Sequence, residues 1–425
     1  MTSENGNSRV PNQPRTFRPF LFAALAYLLV VQVALCVMSV RPALEGHADF
    51  RTFYCTGYLV RTGHANQIYD YEVQKQVQNA LVAPSDVALP FYHPAYEALL
   101  FVPFSLASYR VGYFLFIGFN IALLVISALL MRPYLFGLAS IWPMLPFAVF
   151  LLFFPAGIAL MQGQNSILLL ALYSGAFVAI VAGNDFLAGC LLGLALVKFQ
   201  IALPVVALFL IWRRWRMIAG FAASGSAVLI ASIWLVGLQG LIEHARFLLG
   251  VSSGLGTPGD QLRNGIFPRA MPNLRGLLFS LGGAHLPNVW LQSEIVGLSL
   301  LVLLWTARRR KEITSPGNAF ALAIMCALLV SYHLQIHDLT LLILPITLWL
   351  DRVSQKSMEV EQIRAAALPV LFLVPPIYLF LTTHGLLWLL SLPMLALLFL
   401  WPKSDPGLPR SALNYPLADR VDPFD

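Results

Sequence analysis

Charged residues are scarce in this sequence. Only 11% of its 425 residues are charged, whereas 58% are hydrophobic and the mean hydropathy is +0.74. Soluble domains of this length do not have such a composition, and apolar runs of about 20 residues are typical of membrane-spanning helices. The sequence therefore predicts an all-α, polytopic membrane protein.

Cysteine is also scarce, with four residues in the whole chain. Cys36, Cys190 and Cys326 lie inside apolar runs, and Cys55 has no evident partner. Neither a disulfide framework nor the ligand spacing of a zinc site follows from these positions. We therefore expect no structural role for cysteine chemistry.

The basic residues do not indicate a nucleic-acid partner, although the formal net charge is +7. They form short clusters between apolar runs, at 213–216 and 308–311, and in the N-terminal segment. Short Lys/Arg-rich segments stay on the cytoplasmic side of a membrane. Both termini are therefore predicted to be cytoplasmic. The first apolar run lacks a small-residue cleavage site and is predicted to be a retained span.

The apolar runs predict about twelve transmembrane helices (roughly 11–13). They form a membrane domain over residues 19–402, between tails at 1–18 and 403–425 that are predicted to be disordered. Two long polar stretches, at about 41–93 and 239–286, are predicted to be outer loops with interfacial helices. In the first of them, apolar residues recur at helical spacing over 69–81, which suits a helix in the interface plane or one packed on the ends of the spans.

The number of crossings depends on two segments. Residues 95–106 form a short apolar piece, and residues 186–212 form a longer one that is interrupted by Lys198 and Pro204. Termini on the same side require an even number of crossings. Either 95–106 is re-entrant, or 186–212 is one broken span rather than two short crossings, and the sequence leaves both alternatives open.

Asp49 is a candidate catalytic residue because it is an isolated carboxylate beside the first span. It is followed in the sequence by four aromatic residues, Phe50, Phe53, Tyr54 and Tyr58. A carboxylate among aromatic residues next to a bilayer has the character of a general base that acts on a sugar hydroxyl. An aspartate that caps the helix of an outer loop fits the spacing equally well.

Several polar residues interrupt the apolar runs. A charge at the centre of a span is unfavourable by roughly 2.5–3.5 kcal/mol, so Lys198 needs a reason to be there. It is a candidate for binding a lipid phosphate, or it snorkels to an interface. Gln162, Gln164 and Asn165 form a polar notch whose amides are suited to sugar hydroxyls or to the backbone where helices break.

A second polar group is predicted at the outer face. His333 and His337 are four residues apart and would share one side of a helix. A third ligand and the glutamate of a zinc motif are missing, so we expect no metal ion. A histidine that donates to a phosphate, oriented by Asp338, fits better than a metal site, and helix capping is the alternative. Arg275 is one of four arginines in the second outer loop, where phosphate recognition would explain basic residues on the outer side.

With these features in order, the chain resembles the polytopic glycosyltransferases of the GT-C superfamily, and more narrowly glycosyltransferase family 87. The resemblance covers roughly residues 45–350, and His93-Pro94 stands where the family pattern has Pro-Pro after the tyrosine. The motifs that carry it are Asp49-Phe50 with Tyr54 and Gly57, Ile68-Tyr69-Asp70, Phe91-Tyr92-His93-Pro94, Gly163-Gln164-Asn165, Gly193-Leu194-Ala195 with Lys198, Arg213-Arg214-Trp215-Arg216, Asn273-Leu274-Arg275-Gly276-Leu277, and Ser331 with His337-Asp338.

The resemblance implies an inverting hexosyltransferase, with mannose as the expected sugar. Its donor would be a polyprenyl-phosphate sugar, and its acceptor a lipid-linked or envelope glycan on the outer face of a bacterial plasma membrane. No Asp-x-Asp motif of nucleotide-sugar enzymes occurs, and no cofactor is expected. Asp49 would be the base. The expected substrate-binding residues are Tyr54, His93, Gln164, Asn165, Lys198, Arg275, His333, His337 and Asp338, of which Lys198, Arg275 and His337 would contact the lipid phosphate.

Other classes of function stay open at this point. A secondary transporter or lipid flippase shares the composition, although the sequence shows no internal repeat of the kind common in transporters. A non-catalytic envelope assembly protein with the same architecture is a second alternative. A related enzyme that uses lipid-pyrophosphate carriers is a third.

Overall fold

The computed structural model describes residues 17–253, 267–282, 288–313, 315–355 and 360–401. Within these ranges the chain is helical and contains no strand, so the prediction of an all-α protein is confirmed. The predicted tails at 1–18 and 403–425 fall almost wholly outside the described residues, as does Arg263 of the second outer loop.

The first helices connect the membrane to the first outer loop. Helix α1 spans Phe17–Pro42, and a single turn of π-helix at Ala43–His47 leads into α2, which spans Phe50–Arg61. Helix α3 spans Tyr71–Leu81, so a helix forms where the periodicity predicts one. Its N-terminus is capped by Asp70, whose side chain accepts hydrogen bonds from two backbone N–H groups.

The remaining described chain forms further α-helices with short connections. In order, they are α4 Ala98–Phe101, α5 Tyr109–Met131, α6 Phe136–Ile141, α7 Leu145–Leu152, α8 Phe154–Gln162, α9 Ser166–Val181, α10 Asp185–Leu194, α11 Phe199–Ile211, α12 Trp215–Ser253, α13 Leu274–Gly282, α14 Asn288–Arg309, α15 Pro316–Val330, α16 Ile343–Ser354, α17 Val360–Leu371, α18 Pro375–Thr383 and α19 Ser391–Leu400.

Five helical stretches in the described chain are long and apolar enough to cross a membrane, or seven if two bent pairs are each one span. The bent pairs are α7 with α8, at 51°, and the last part of α17 with α18, at 52°. The short apolar piece at 95–106 is not one of them, since α4 has only four residues between two 3₁₀ turns.

One of the five stretches, Asp185–Ile211, folds back on itself. A straight helix of this length would be about 40 Å long. Yet Arg214, three residues beyond its end, donates to both carboxylate oxygens of Asp185 at 2.8 and 2.6 Å. Helices α10 and α11 therefore form a hairpin whose two ends lie on the same side, with the 3₁₀ turn Ala195–Lys198 at its tip. A single broken span, one of the two alternatives from the sequence, is wrong for this segment.

Two hydrophobic cores hold the helices together. The larger core joins α5, α7–α11 and the C-terminal helices. The smaller core surrounds α2 with aromatic rings, including Phe50 stacked on Phe116 at 5.3 Å and Phe53 stacked on Phe101 at 4.6 Å. This packing fixes α2, and with it the residue at its N-terminus, Asp49.

Candidate active site

Asp49 occupies the N-cap position of α2, but its side chain makes no capping hydrogen bond. Instead, Oδ2 accepts a hydrogen bond of 2.6 Å from Nε2 of Gln164, which lies 115 residues further along the chain. The geometry therefore favours the interpretation of Asp49 as a site residue over that of a helix cap. Burial raises the pKa of Asp49 above that of an ordinary carboxyl group, against the opposing effects of the Gln164 hydrogen bond and the charge of Lys198.

Gly163 allows Gln164 to reach Asp49. It ends α8 in the left-handed conformation, with φ of 65°, which non-glycine residues rarely adopt. A Cβ atom at this position would lie 2.6 Å from Cβ of Phe50, the first residue of α2. The break between α8 and α9 can approach α2 this closely only because residue 163 has no side chain.

Lys198 comes to the same place from the tip of the α10–α11 hairpin. Its Nζ atom lies 2.8 Å from Oδ1 of Asp338 and 3.5 Å from Oε1 of Gln164. The side chains of Lys198 and Asp338 are only 5% and 0% exposed, so Lys198 does not snorkel to an interface. Its positive charge is compensated within the protein.

Asp338 is surrounded by donors. Its Oδ1 atom also accepts from Oγ of Ser166 at 3.0 Å, and its Oδ2 accepts from the backbone N–H of Gln335 at 3.0 Å. Burial has the largest single effect and raises the pKa of Asp338, but the interactions with Lys198 and His337 and the hydrogen bond from the Gln335 backbone together outweigh burial and lower it. Asp338 is therefore a stable anion that holds Lys198 in place.

The two predicted histidines do not share one side of a helix, because the 3₁₀ helix that contains His337 starts at Ile336 and His333 precedes it. Nδ1 of His337 lies 3.0 Å from Oε1 of Gln162, the last residue of α8. Burial lowers the pKa of His337 to about 3 and that of His333 to about 4, so both are neutral near pH 7. The N–H of neutral His337 is directed at Gln162, whereas neutral His333 can contribute an N–H donor to a phosphate, and neither supplies positive charge.

His93 and Asn165 meet at a residue that the sequence reasoning missed, Glu97. Nδ1 of His93 lies 2.9 Å from Oε2 of Glu97, and the amide of Asn165 donates to Oε1. Glu97 is buried, with 1% exposure. An acidic residue four positions after a histidine, inside an otherwise apolar piece, was the signal that could have identified it.

Arg275 lies in α13 at the end of the second outer loop. Its guanidinium stacks on the ring of Tyr332 at 3.9 Å and donates to the Tyr332 carbonyl at 3.0 Å. Arg275 is buried, and the salt bridges found among the described residues do not include it. Tyr332 directly precedes His333, so this contact places Arg275 near the histidines.

Tyr54 lies apart from these residues. Its ring packs against Tyr109 in the smaller core, and its hydroxyl donates to the Ala107 carbonyl at 2.8 Å. The structure thus gives Tyr54 a packing role, and substrate binding by this residue stays a prediction.

An apolar groove leads from the lipid-facing side to this cluster. It has a volume of about 660 Å³ and lies between α1, α8 and α18. Its walls are mainly aliphatic, with Val30, Ala34 and Ile158 among them, and its polar end is formed by His47 and Gln162. Ala48, next to Asp49, also lines it, so the groove ends beside the cluster.

The site thus combines a partly exposed carboxylate, a compensated lysine, an uncompensated arginine, neutral histidines and amides. Three of its buried polar atoms, Oε2 of Glu97, Oδ1 of Asn165 and Nδ1 of His333, have no hydrogen-bond partner among the described residues. The described residues contain no cluster of three or more His, Cys, Asp or Glu side chains that could hold a metal ion. This set is suited to proton abstraction and to binding of polyhydroxylated and anionic groups.

Comparison with known proteins assigns the family. The model of glycosyltransferase family 87 matches residues 91–345, which is more than half of the chain. The chain belongs to glycosyltransferase family 87. No curated protein and no solved structure matches it. The matched region of this glycosyltransferase contains Lys198, Arg275 and His337 but begins after Asp49, so the importance of Asp49 rests on its contacts.

Substitution of Gly163 by alanine tests whether close approach of α8 to α2 builds the site. We expect Gly163→Ala to destabilise the protein by more than the ~1–2 kcal/mol cost of a left-handed alanine and to reduce glycosyl transfer strongly, because the Cβ pushes against Phe50. Gly183→Ala is the matched control, since Gly183 has φ of 74° and nothing within 4 Å of its Cβ position. Thermal unfolding and transfer rates of both variants, measured side by side, give the comparison. Equal losses in the two variants would mean that crowding at Phe50 is unimportant.

Proposed function

We propose that this family 87 enzyme transfers a hexosyl unit, with mannose as the expected sugar, from a polyprenyl-phosphate donor to a lipid-linked or envelope glycan. The observation that carries the proposal is the position of Asp49. Its carboxylate is hydrogen-bonded to Gln164, which contacts Lys198, and it lies beside the end of an apolar groove. A base, phosphate-binding groups and a path for a lipid chain are thereby combined in one place.

The reaction would be a single displacement. The acceptor hydroxyl oxygen attacks the anomeric carbon while its proton passes to Asp49. The bond between that carbon and the phosphate oxygen breaks, and its electron pair leaves with the phosphate, so the configuration inverts. A positioned base contributes about 10²–10⁴-fold to such a step, and the raised pKa of Asp49 makes it a stronger base than an ordinary carboxylate.

The leaving phosphate needs donors and positive charge. Arg275 supplies the net charge in this proposal, because Lys198 is already paired with Asp338. Lys198 would contribute an N–H donor that the pair holds in place, and neutral His333 would contribute a further one. A lipid phosphate is its own leaving group, so the reaction requires no nucleotide site.

The groove supports a lipid-linked donor. Its aliphatic walls suit an isoprenoid chain, and its polar end lies at Gln162, which contacts His337. A donor with its chain in the groove would present its phosphate toward His337 and its sugar toward Asp49. Helix α1 forms one wall, and none of the residues in its most apolar part is fully buried, which suits entry of a chain sideways from the bilayer.

The proposed orientation places the site at the outer face of the bacterial inner membrane. With 95–106 outside the spans and the α10–α11 hairpin returning to the side where it starts, four candidate spans remain among the described residues, or six if each bent pair is one span, and both numbers are even. Arg309 donates to the Trp401 carbonyl at 2.7 Å, which brings the end of the described chain to the basic cluster at 308–311. This contact supports a cytoplasmic position for the C-terminus, and an even number of crossings implies the same side for the N-terminus.

The test is transfer by the purified protein in detergent, supplied with radiolabelled polyprenyl-phosphate mannose and a lipid extract of the native host. We expect labelled glycolipid with this donor and none with a nucleotide-linked mannose. Polyprenyl-phosphate glucose and arabinose test the sugar. If all lipid-linked donors fail, the proposed function is wrong and a transporter or a non-catalytic assembly protein becomes the better explanation.

Filling the groove tests the path of the lipid chain. We expect Ala34→Trp to raise the KM for a long-chain donor at least tenfold and to leave a donor with a ten-carbon chain nearly unaffected, because only the long chain needs the groove. Val33→Trp is the control, since Val33 is exposed on α1 but does not line the groove. Equal KM effects of Ala34→Trp on both donors would place the chain elsewhere.

A further inference from the structure

The group formed by His93, Glu97 and Asn165 has no task in the displacement described above. Glu97 is a carboxylate at 1% exposure, in a chain where charged residues are few. Burial of an unpaired carboxylate is costly, so such groups are kept when a partner needs them. The ionisable partner of Glu97 is His93, whose Nδ1 atom lies 2.9 Å from Oε2 of the carboxylate.

The contact favours a proton on one of the two imidazole nitrogens. Oε2 of Glu97 lies 2.9 Å from Nδ1 of His93 and has no other partner among the described residues, so the carboxylate favours a hydrogen on Nδ1, in the neutral tautomer as well as in the imidazolium. The Asn165 amide donates to Oε1 of Glu97, and the same nitrogen also lies 3.4 Å from Nδ1 of His93. Nε2 takes part in no described hydrogen bond and is the edge of the ring opposite Glu97.

The position of the ring relates it to the general base. Asp49 and Phe53 are four residues apart at the start of α2 and therefore lie on one face of the helix. The imidazole of His93 stands edge-on to Phe53, with the centroids 5.0 Å apart. The Asn165 amide, 3.4 Å from Nδ1 of His93, directly follows Gln164, which donates to Asp49, so the ring lies close to the base.

Two adjacent residues each donate an amide hydrogen bond to a carboxylate of the site. Gln164 donates to Asp49, and Asn165 donates to Glu97. The sharp turn at Gly163 thus sets the orientation of the base and of the histidine together. The side chain of His93 is 15% exposed, and Glu97 contacts its Nδ1 edge while Nε2 has no described partner. A side chain held in this way is suited to bind substrate.

We propose that Glu97 is a positioning residue, and that it holds His93 so that Nε2 binds one hydroxyl group of the transferred sugar. A hydroxyl group both donates and accepts, so it can pair with Nε2 in either protonation state of the ring. This inference rests on the proposed function and adds a residue pair that determines sugar specificity at the same site.

The first experiment uses donors that each lack one sugar hydroxyl. With the wild-type enzyme, we expect one of these deoxy donors to show about a tenfold higher KM than the parent donor, the effect of one lost hydrogen bond. With His93→Ala, the same deoxy donor and the parent donor should have equal KM values, with smaller changes in kcat. If His93→Ala keeps every preference of the wild type, Nε2 binds no sugar hydroxyl and the inference is overturned.

The second experiment is a double-mutant cycle. We expect Glu97→Gln, which keeps the side-chain shape, to raise the donor KM in the wild-type background but not in the His93→Ala background. Equal effects in both backgrounds would mean that Glu97 acts independently of His93 and only supports the fold. Glu243→Gln, an exposed glutamate on α12, is the control and should change nothing.

The outcomes separate this inference from the proposed function. A wild-type enzyme that transfers no sugar from any lipid-linked donor overturns both. An active wild-type enzyme with an additive cycle overturns the role of Glu97 alone. If Glu97→Gln does not fold, the deoxy-donor comparison of wild type and His93→Ala still decides whether the histidine binds sugar.

Discussion

Asp49→Asn should reduce glycosyl transfer by about a hundredfold or more without loss of stability. The loss is expected because an amide cannot take the proton of the acceptor hydroxyl, and a general base contributes about 10²–10⁴-fold. The fold should survive because asparagine can still accept the hydrogen bond from Gln164. Initial rates with the lipid-linked donor and thermal unfolding in detergent are the two measurements. Full activity of the variant would remove Asp49 from the mechanism.

The pH dependence gives a second test of the same residue. Asp49 must be ionised to act as a base, and burial raises its pKa. Transfer should therefore fall as the pH is lowered through a value above that of an exposed aspartate, about 3.9. The effect on stability has the opposite sign, because a raised folded-state pKa favours the protonated form. Asp49 thus opposes folding at high pH, and Asp49→Asn should be at least as stable as the wild type near pH 7.

The helices could be predicted from the sequence because each depends on nearby residues. Apolar runs long enough for a bilayer become helices, since lipid offers no other partner for the backbone. Helix α3 begins at Asp70, whose capping is a local interaction, and it forms where apolar spacing predicts it. The sequence left the fold-back of α10 and α11 open as one of two alternatives, since packing of α10 against α12, with Arg214 paired to Asp185, has no local signal in the sequence.

The candidate site could be predicted only in part. Asp49, Gln164, Lys198 and Asp338 were selected because polar groups are costly in an apolar chain, and the structure brings these four together. The pairing itself has no local signal, because Lys198 and Asp338 are far apart in sequence. From the sequence, Lys198 is predicted to be a free cation that binds phosphate. In the structure, the carboxylate of Asp338 compensates its charge. Substrate binding by these residues stays a prediction.

Variants of Lys198 and Asp338 can separate an effect on stability from an effect on transfer activity. Removal of one partner leaves an uncompensated charge in a site that excludes water, which costs about 3–5 kcal/mol. We therefore expect Lys198→Met and Asp338→Asn each to lower thermal stability strongly. The double variant should recover most of that loss, because a buried pair replaced by neutral groups is often no less stable. Arg214→Met, which breaks a more exposed pair with Asp185, is the control and should cost about 1 kcal/mol.

Activity of the stable double variant then decides what the pair contributes to transfer. If Lys198 donates to the departing phosphate, the double variant folds but stays at least a hundredfold less active, mainly through kcat, because the donor is lost where charge develops. A double variant that regains wild-type activity together with its stability would mean that the pair only joins the α10–α11 hairpin to the segment before α16. The phosphate would then depend on Arg275, whose positive charge has no salt-bridge partner among the described residues.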